Sequence, residues 1–234
     1  MQRSLVGSEM CIRDRLKDEA NAWFVGEPFK VFYDYKKEGI WQLGEEATAA
    51  ANGQEPGDIK VQDVDGNGVI TTDDRIIYSQ RPDVTFGFNN TFNYKGFDLS
   101  VFLYARLGQW IAYDYNTTYR INALENGGNV DYWTPENPTN AFPRPNKSKS
   151  YTQVTYYSTL KYEDGSFFKI RDITLGYTFK PELLKHLNLS RLRVYATAKN
   201  FFTFSKIDNY DPEQGGSISF PMTKQLVFGL NVEF

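Results

Sequence analysis

The chain has 234 residues and a formal net charge of -3, with a pI near 5.4, and no segment carries a basic face, which excludes nucleic acid as a partner. Aromatic residues make up 16%, yet mean hydropathy is only -0.53 and no run approaches the ~20 apolar residues of a membrane-spanning helix. That pairing leaves two all-β classes open: a soluble β protein, or a membrane β-barrel whose alternating strands escape hydropathy averages.

Residues 1–15, MQRSLVGSEMCIRDR, have neither the apolar h-region of a secretory signal nor a helix or strand period. They resemble translated sequencing-adapter sequence and are read as non-native, with native sequence expected from Leu16 and an upstream part of the protein missing. Cys11, the single cysteine, permits no internal disulfide, and C/H zinc spacings are absent. The aromatic run FKVFYDYKKEGIWQ, 29–42, is expected to be a strand.

DVDGNGVITTDD, 63–74, fits the calcium-loop template. Asp63, Asp65, Asn67 and Thr71 fall at positions 1, 3, 5 and 9, the Val69 carbonyl at 7, Gly68 at the turn and Asp74 at 12. Hard oxygens converging from one loop suit Ca²⁺ as a cofactor. The shorter Asp at position 12 and the lack of a flanking amphipathic helix pair argue against a calcium-sensor EF-hand. The expected role is to stiffen a long outer loop with little core of its own.

Four strands then alternate with period 2. In VTFGFNNTFNY the even positions from Val84 to Tyr94 are mostly apolar, and in FDLSVFLYARLGQW the odd positions from Phe97 to Leu107 are. From Leu192 to Phe204 the even positions are apolar except Asn200, and in KQLVFGLNVEF Leu226, Phe228, Leu230, Val232 and Phe234 share one face. A fifth, SFFKIRDITLGYTF, changes phase between Ile170 and Ile173, as a β-bulge near Arg171-Asp172 would produce.

Several of these strands run to roughly 11–14 residues, against a usual mode of about 5–6 in soluble sheets and the ~9–11 that cross a bilayer. Connections alternate in length: about 43–83, 112–165 and 205–223 are long, Lys95-Gly96 and about 180–190 short. Membrane barrels show that asymmetry, with their long loops outside. Within 112–165, Tyr132 and Trp133 are candidate substrate contacts, since such rings stack on sugar faces, although a loop packing on itself accounts for them as well. About six strands with open edges do not close a barrel, so partner strands outside this chain are expected.

At this point a resemblance enters. EDGSFFKIRDITLGYTF, LRVYATAKNFFTFSKIDNYDPE, the terminal VFGLNVEF, PGDIKVQDVDGNGVITTDDRIIY and FNYKGFDLSVFLYARLGQ together resemble the C-terminal end of SusC/RagA-type TonB-dependent outer-membrane transporters of Bacteroidetes. The resemblance implies a 22-stranded barrel with an internal plug, of which residues 16–234 supply the last six or so strands, embedded in outer-membrane lipid. It further implies a SusD-like surface lipoprotein as partner, energy supplied through TonB, and import of oligosaccharides or peptides. Phe234 resembles the terminal signal read by the barrel-assembly machinery.

The competing class is a secreted, calcium-stiffened β-sandwich that binds carbohydrate or mediates adhesion. An enzyme is not expected. His186 sits in a turn-like PELLKHLNLS, and the pairs Glu163-Asp164 and Asp73-Asp74 are read as solvated loop carboxylates rather than glycosidase acids. No P-loop, dinucleotide or nucleophile-elbow motif occurs.

Overall fold

The computed structural model describes residues 17–29, 31–122, 128–185 and 188–234; the adapter-like 1–15 with Cys11, and His186, lie outside the described residues. In chain order the strands are β1 (Lys17–Asp18), β2 (Trp23–Phe24), β3 (Phe32–Tyr35), β4 (Lys37–Ile40), β5 (Ile59–Val61), β6 (Arg75–Tyr78), β7 (Val84–Tyr94), β8 (Phe97–Leu107), β9 (Trp110–Ala112), β10 (Tyr162–Asp164), β11 (Phe167–Thr178), β12 (Arg191–Ser205) and β13 (Gln225–Glu233). Two short helices, α1 (Glu46–Ala51) and α2 (Pro181–Leu184), interrupt them. The chain divides into two compact units. One ends at Arg81 and resumes over Trp110–Glu163; the other comprises Pro82–Gln109 and Asp164–Phe234.

The second unit is a five-stranded antiparallel sheet in the order β13-β12-β11-β8-β7. Its strands are 9, 15, 12, 11 and 11 residues long in that order. Register aligns the alternating faces across all of them. Phe92, Leu99, Leu175, Ala196 and Phe228 form one cross-strand row, and Tyr94, Phe97, Tyr177, Val194 and Leu230 the next. Of the neighbouring row Asn90, Val101, Ile173, Ala198 and Leu226, only the first member is polar. The expected bulge is present: register shifts between Ile170 and Asp172 against both β8 and β12. Arg171 is the extra residue opposite β8, and it allows Ile170 and Ile173, three positions apart, to lie on the same apolar face.

The opposite face is polar. Thr91, Ser100, Thr174 and Thr197 make one row there, with Ser100 Oγ 3.2 Å from Asn89 Oδ1 and the hydroxyls of Thr174 and Thr197 2.9 Å apart. Phe102 and Tyr104, out of place in the alternation of β8, belong to this face. The Phe102 ring lies beside Gly87, and Tyr104 is covered by the guanidinium groups of Arg106 and Arg171.

The connections leave the sheet at its two ends. Val84, Leu107, Phe167 and Ser205, from which the long connections depart, are gathered by register at one end. At the other end lie Lys95-Gly96 and the short link that contains α2. Lys95 and Gly96 have φ of 48° and 91°, the both-positive pattern of a type I′ hairpin, whose twist matches that of the strands. A Cβ on Gly96 would come within 2.8 Å of the Thr178 carbonyl, so the turn also requires glycine for space.

Phe228 and Leu230 on the apolar face are 76% and 67% exposed. A sandwich buries such a face under a second sheet about 10 Å away. Among the described residues the long strands form this one sheet, and its apolar face is open.

Two expectations are corrected in the first unit. The strand anticipated over 29–42 is instead β3 and β4, which part at Lys36 to pair with β6 and β5 respectively. The long sheet therefore has five strands rather than six. The segments read as loops with little core also have a core of their own: Ile40, Ile59, Val61, Trp133 and Leu160, drawn from both stretches of the unit, are all buried together. Tyr35, Ile70, Phe142 and Val154 pack around them.

The two faces predict opposite responses to a charge. Val101→Arg, on the central apolar row, should cost about 2–4 kcal/mol in a bilayer, whereas Ser100→Arg on the polar face should be close to neutral. The heat-modifiable folded band of the protein carrying this chain checks this on a detergent gel, and equal loss for both variants would contradict the assigned faces.

Candidate functional site

The polar face of the sheet holds two ion-pair clusters that the sequence reading missed. Lys169 is fully buried, with its Nζ 2.6 Å from Asp211 Oδ2 and 2.7 Å from Glu213 Oε2. Arg171 Nη1 lies 3.2 Å from Glu213, and Thr203 donates to Asp211 at 3.4 Å. Two acids thus balance two bases, as a buried charge requires. The cluster ties the 205–223 connection, through its short Pro212–Gln214 turn, to the neighbouring ends of β11 and β12, near Phe167 and Ser205. Nearer the hairpin end, Arg193 grips Asp98 with Nε–Oδ1 and Nη2–Oδ2 distances of 2.9 and 2.5 Å. Gly176 lies beneath this pair, since a Cβ there would meet Arg193 Nη2 at 2.5 Å. The polar parity of Lys169, set between Phe168 and Ile170, was the sequence signal; its partners some forty residues away were not readable.

In the calcium-like loop the structure brings together Asp63, Asp65 and Asp74, whose nearest carboxylate oxygens all lie within 4.8 Å of one another. Asp63 accepts from the amides of Gly66 and Gly68 at 2.8 and 2.7 Å, and Asp65 from that of Asn67 at 3.0 Å. Asn67 Oδ1 accepts from the Val69 amide at 2.7 Å. These local side chain–backbone bonds wind the loop inward. Thr71 is used differently: its hydroxyl caps a short 3-10 turn by accepting from the Asp73 amide at 3.2 Å. Asp74 is fully buried and accepts from the amides of Val64 at 2.8 Å, Asp65 at 3.4 Å and Thr71 at 2.7 Å. The Thr71 amide foremost, with those of Val64 and Asp65, holds the Asp74 carboxyl below its ordinary range against the opposing effect of burial.

Tyr132 and Trp133 part company. Trp133 is 4% exposed, its Nε1 donates to Gln42 Oε1 at 2.8 Å, and its ring lies in the core with Ile40 and Ile59. It is a core residue and offers no ring face to a sugar. Tyr132 stays exposed at 43%, with its backbone bridged to Phe142. The same segment is held by Lys37, whose ammonium donates to the Ala141 carbonyl and whose pKa burial pushes down. The acidic pairs do not converge: Glu163 accepts from Asn116 at 2.9 Å, and Asp164 from the Ser166 amide at 3.0 Å and Lys206 at 2.9 Å. Phe234 follows β13 directly and is 93% exposed.

Long antiparallel strands with one apolar face, one polar face and all their long connections at one end make the wall of a transmembrane β-barrel. The searched family models give no match. The chain is 32% identical over 235 residues to TonB-dependent receptor P3 of Formosa agariphila, covering 89% of this chain and 22% of that one. It is 31% identical over 181 residues to TonB-dependent receptor SusC of Bacteroides thetaiotaomicron, covering 74% and 17%. In fold it matches the RagAB peptide transporter with a TM-score of 0.66 at 24% identity, over 91% of this chain and 24% of that one. The chain belongs to the TonB-dependent receptors of the SusC/RagA type. It spans about a fifth of the length of the curated relatives it matches (22% and 17%).

The depressed Asp74 carboxyl fixes the sign of a pH effect. Its stabilisation of the loop is complete above the unfolded value of about 3.9 and is lost as pH falls through the lower folded value. The protection factors of the Val64 and Thr71 amides, exchange rates taken relative to those of the free amides at the same pH, should therefore fall only below about pH 4 in the wild type, and be low at every pH in Asp74→Ala. Protection that survives in Asp74→Ala would contradict this role.

Proposed function

We propose that this chain is a wall segment of an outer-membrane importer that takes up oligosaccharides or peptides, driven through TonB and working with a SusD-like surface lipoprotein. The observation that carries the reading is the largely apolar face running in register across five strands, which matches what a bilayer demands of a barrel wall. Relatives named TonB-dependent receptors support the energy source, and the RagAB peptide importer, similar in fold at 26% identity, supports the direction of transport. Trp133 is left out of the substrate surface; Tyr132, exposed beside it, is kept in the proposal. Phe234, the free terminal aromatic in phase with β13, is assigned to recognition by the barrel-assembly machinery.

The test is uptake in the source organism. Fluorescent oligosaccharide and peptide pools should enter wild-type cells, and one of them should be excluded equally when this gene or tonB is deleted. Unchanged uptake of both pools after deletion of an expressed gene overturns the reading.

The loop at 63–74 is assigned Ca²⁺ as part of the same reading. Asp63, Asp65 and Asp74 supply three carboxylates, and each oxygen that already accepts one amide hydrogen keeps a second lone pair for an ion. Asn67, the Val69 carbonyl and Thr71 complete the proposed set, and the ion would draw the loop's negative charges together. Calorimetry on the intact receptor should register Ca²⁺ uptake with Kd on the order of 10⁻⁴–10⁻³ M or tighter, abolished in Asp63→Ala. No heat at millimolar Ca²⁺ removes the assignment.

A further inference from the structure

Arginines in this chain commonly have an acceptor. Arg144 pairs with Glu55 at 2.6 Å and Arg191 with Glu233 at 3.3 Å, while Arg106 Nε donates to the Tyr104 hydroxyl at 2.7 Å. Arg75 is different. It opens β6 directly opposite Tyr35 in the ladder with β3, and its guanidinium carbon lies 5.2 Å from the Tyr35 ring centroid and 5.9 Å from that of Tyr33. Its Nε is shut from solvent and has no hydrogen-bond partner among the described residues.

Of the acids close to it in sequence or across the ladder, Asp74 and Asp34 are engaged elsewhere. Asp74 accepts from the amides of Val64, Asp65 and Thr71. Asp34, on the other face of β3, accepts from the Tyr35 amide at 2.8 Å and the Tyr162 hydroxyl at 3.2 Å. Asp73 is exposed. A half-buried guanidinium laid across two rings, with no anion of its own, loses hydration without regaining a partner. Its planar fork is shaped for bidentate binding of a carboxylate.

We propose that Arg75, Tyr33 and Tyr35 form a binding site for a carboxylate-bearing ligand, the fork taking the carboxylate and the rings covering the ligand's apolar side. The inference rests on the import reading and narrows its substrate class. A carboxylate is the anion available both to an acidic sugar, as a uronate, and to a peptide, at its C-terminus. Tyr33 and Tyr35 hold the guanidinium by cation–π attraction, so in this proposal the carboxylate is taken by the two terminal nitrogens of the fork rather than by the enclosed Nε.

The experiment is calorimetry on the intact receptor in detergent with two matched pairs of probes: trigalacturonate and its methyl ester, and a tripeptide with free or amidated C-terminus. The free acid of one pair should bind at least tenfold more tightly than its neutral counterpart, and the pair that shows this identifies the source of the carboxylate. Arg75→Met should erase the difference while the receptor keeps its heat-modifiable folded band. Should Arg75→Met fail to fold, Arg75→Lys, which keeps the charge and loses the fork, should bind the acid several-fold more weakly. Equal binding of acid and neutral forms, absence of binding by both acids, or a preference left undiminished in either variant overturns the site. TonB-dependent uptake that persists in those cases leaves the import reading standing and fells this inference alone.

Discussion

The rest of this structure depends on the lack of hydrogen-bonding solvent in a bilayer. Every backbone N–H and C=O that crosses must find a partner in a neighbouring strand, which forces long strands, continuous ladders and strict register. A slip by one residue would turn a whole strand's apolar set inward. The five strands of this sheet hold register across rows such as Phe92, Leu99, Leu175, Ala196 and Phe228. The single irregularity, at Arg171, keeps the apolar phase instead of breaking it. Without the bulge, Ile170 and Ile173 would face opposite sides.

With one face committed to apolar side chains, charge is confined to the other, where it is neutralised locally. Lys169 is fully buried because Asp211 and Glu213 reach it from the 205–223 connection, so the ion pairs also fix the path of that segment. The Arg193–Asp98 pair does the same between β12 and β8, across the glycine of the intervening strand. Removing one partner of such a pair costs far more than the pair contributes, because the remaining charge stays buried.

The first unit obeys a different rule. Its strands are two to four residues long and gain little from ladders, so a small core formed by two distant stretches of sequence must hold it. Trp133 is drawn into that core with Ile40, Ile59, Val61 and Leu160. An indole placed in a loop rich in Pro and Asn looks like a ligand platform when read in sequence; its 4% exposure shows that the loop uses it to fold. The buried Asp74 carboxylate likewise acts first on the backbone, gathering three amides of the loop.

The sequence by itself determined whatever depends on period and on local spacing: the alternating faces of β7, β8, β11, β12 and β13, the bulge at Arg171, the Lys95-Gly96 turn and the acidic loop. These are legible because a strand's side chains alternate whatever surrounds it, and because a turn needs particular φ angles. Only the tertiary structure decided that 29–42 splits at Lys36 into two strands with different partners, since an aromatic run has strand propensity in either setting. It alone showed Trp133 inside, Lys169 matched by acids some forty residues away, and Arg75 laid across Tyr33 and Tyr35 with no paired anion among the described residues. Burial and pairing of this kind are set by which distant segments meet, and no local period encodes that meeting.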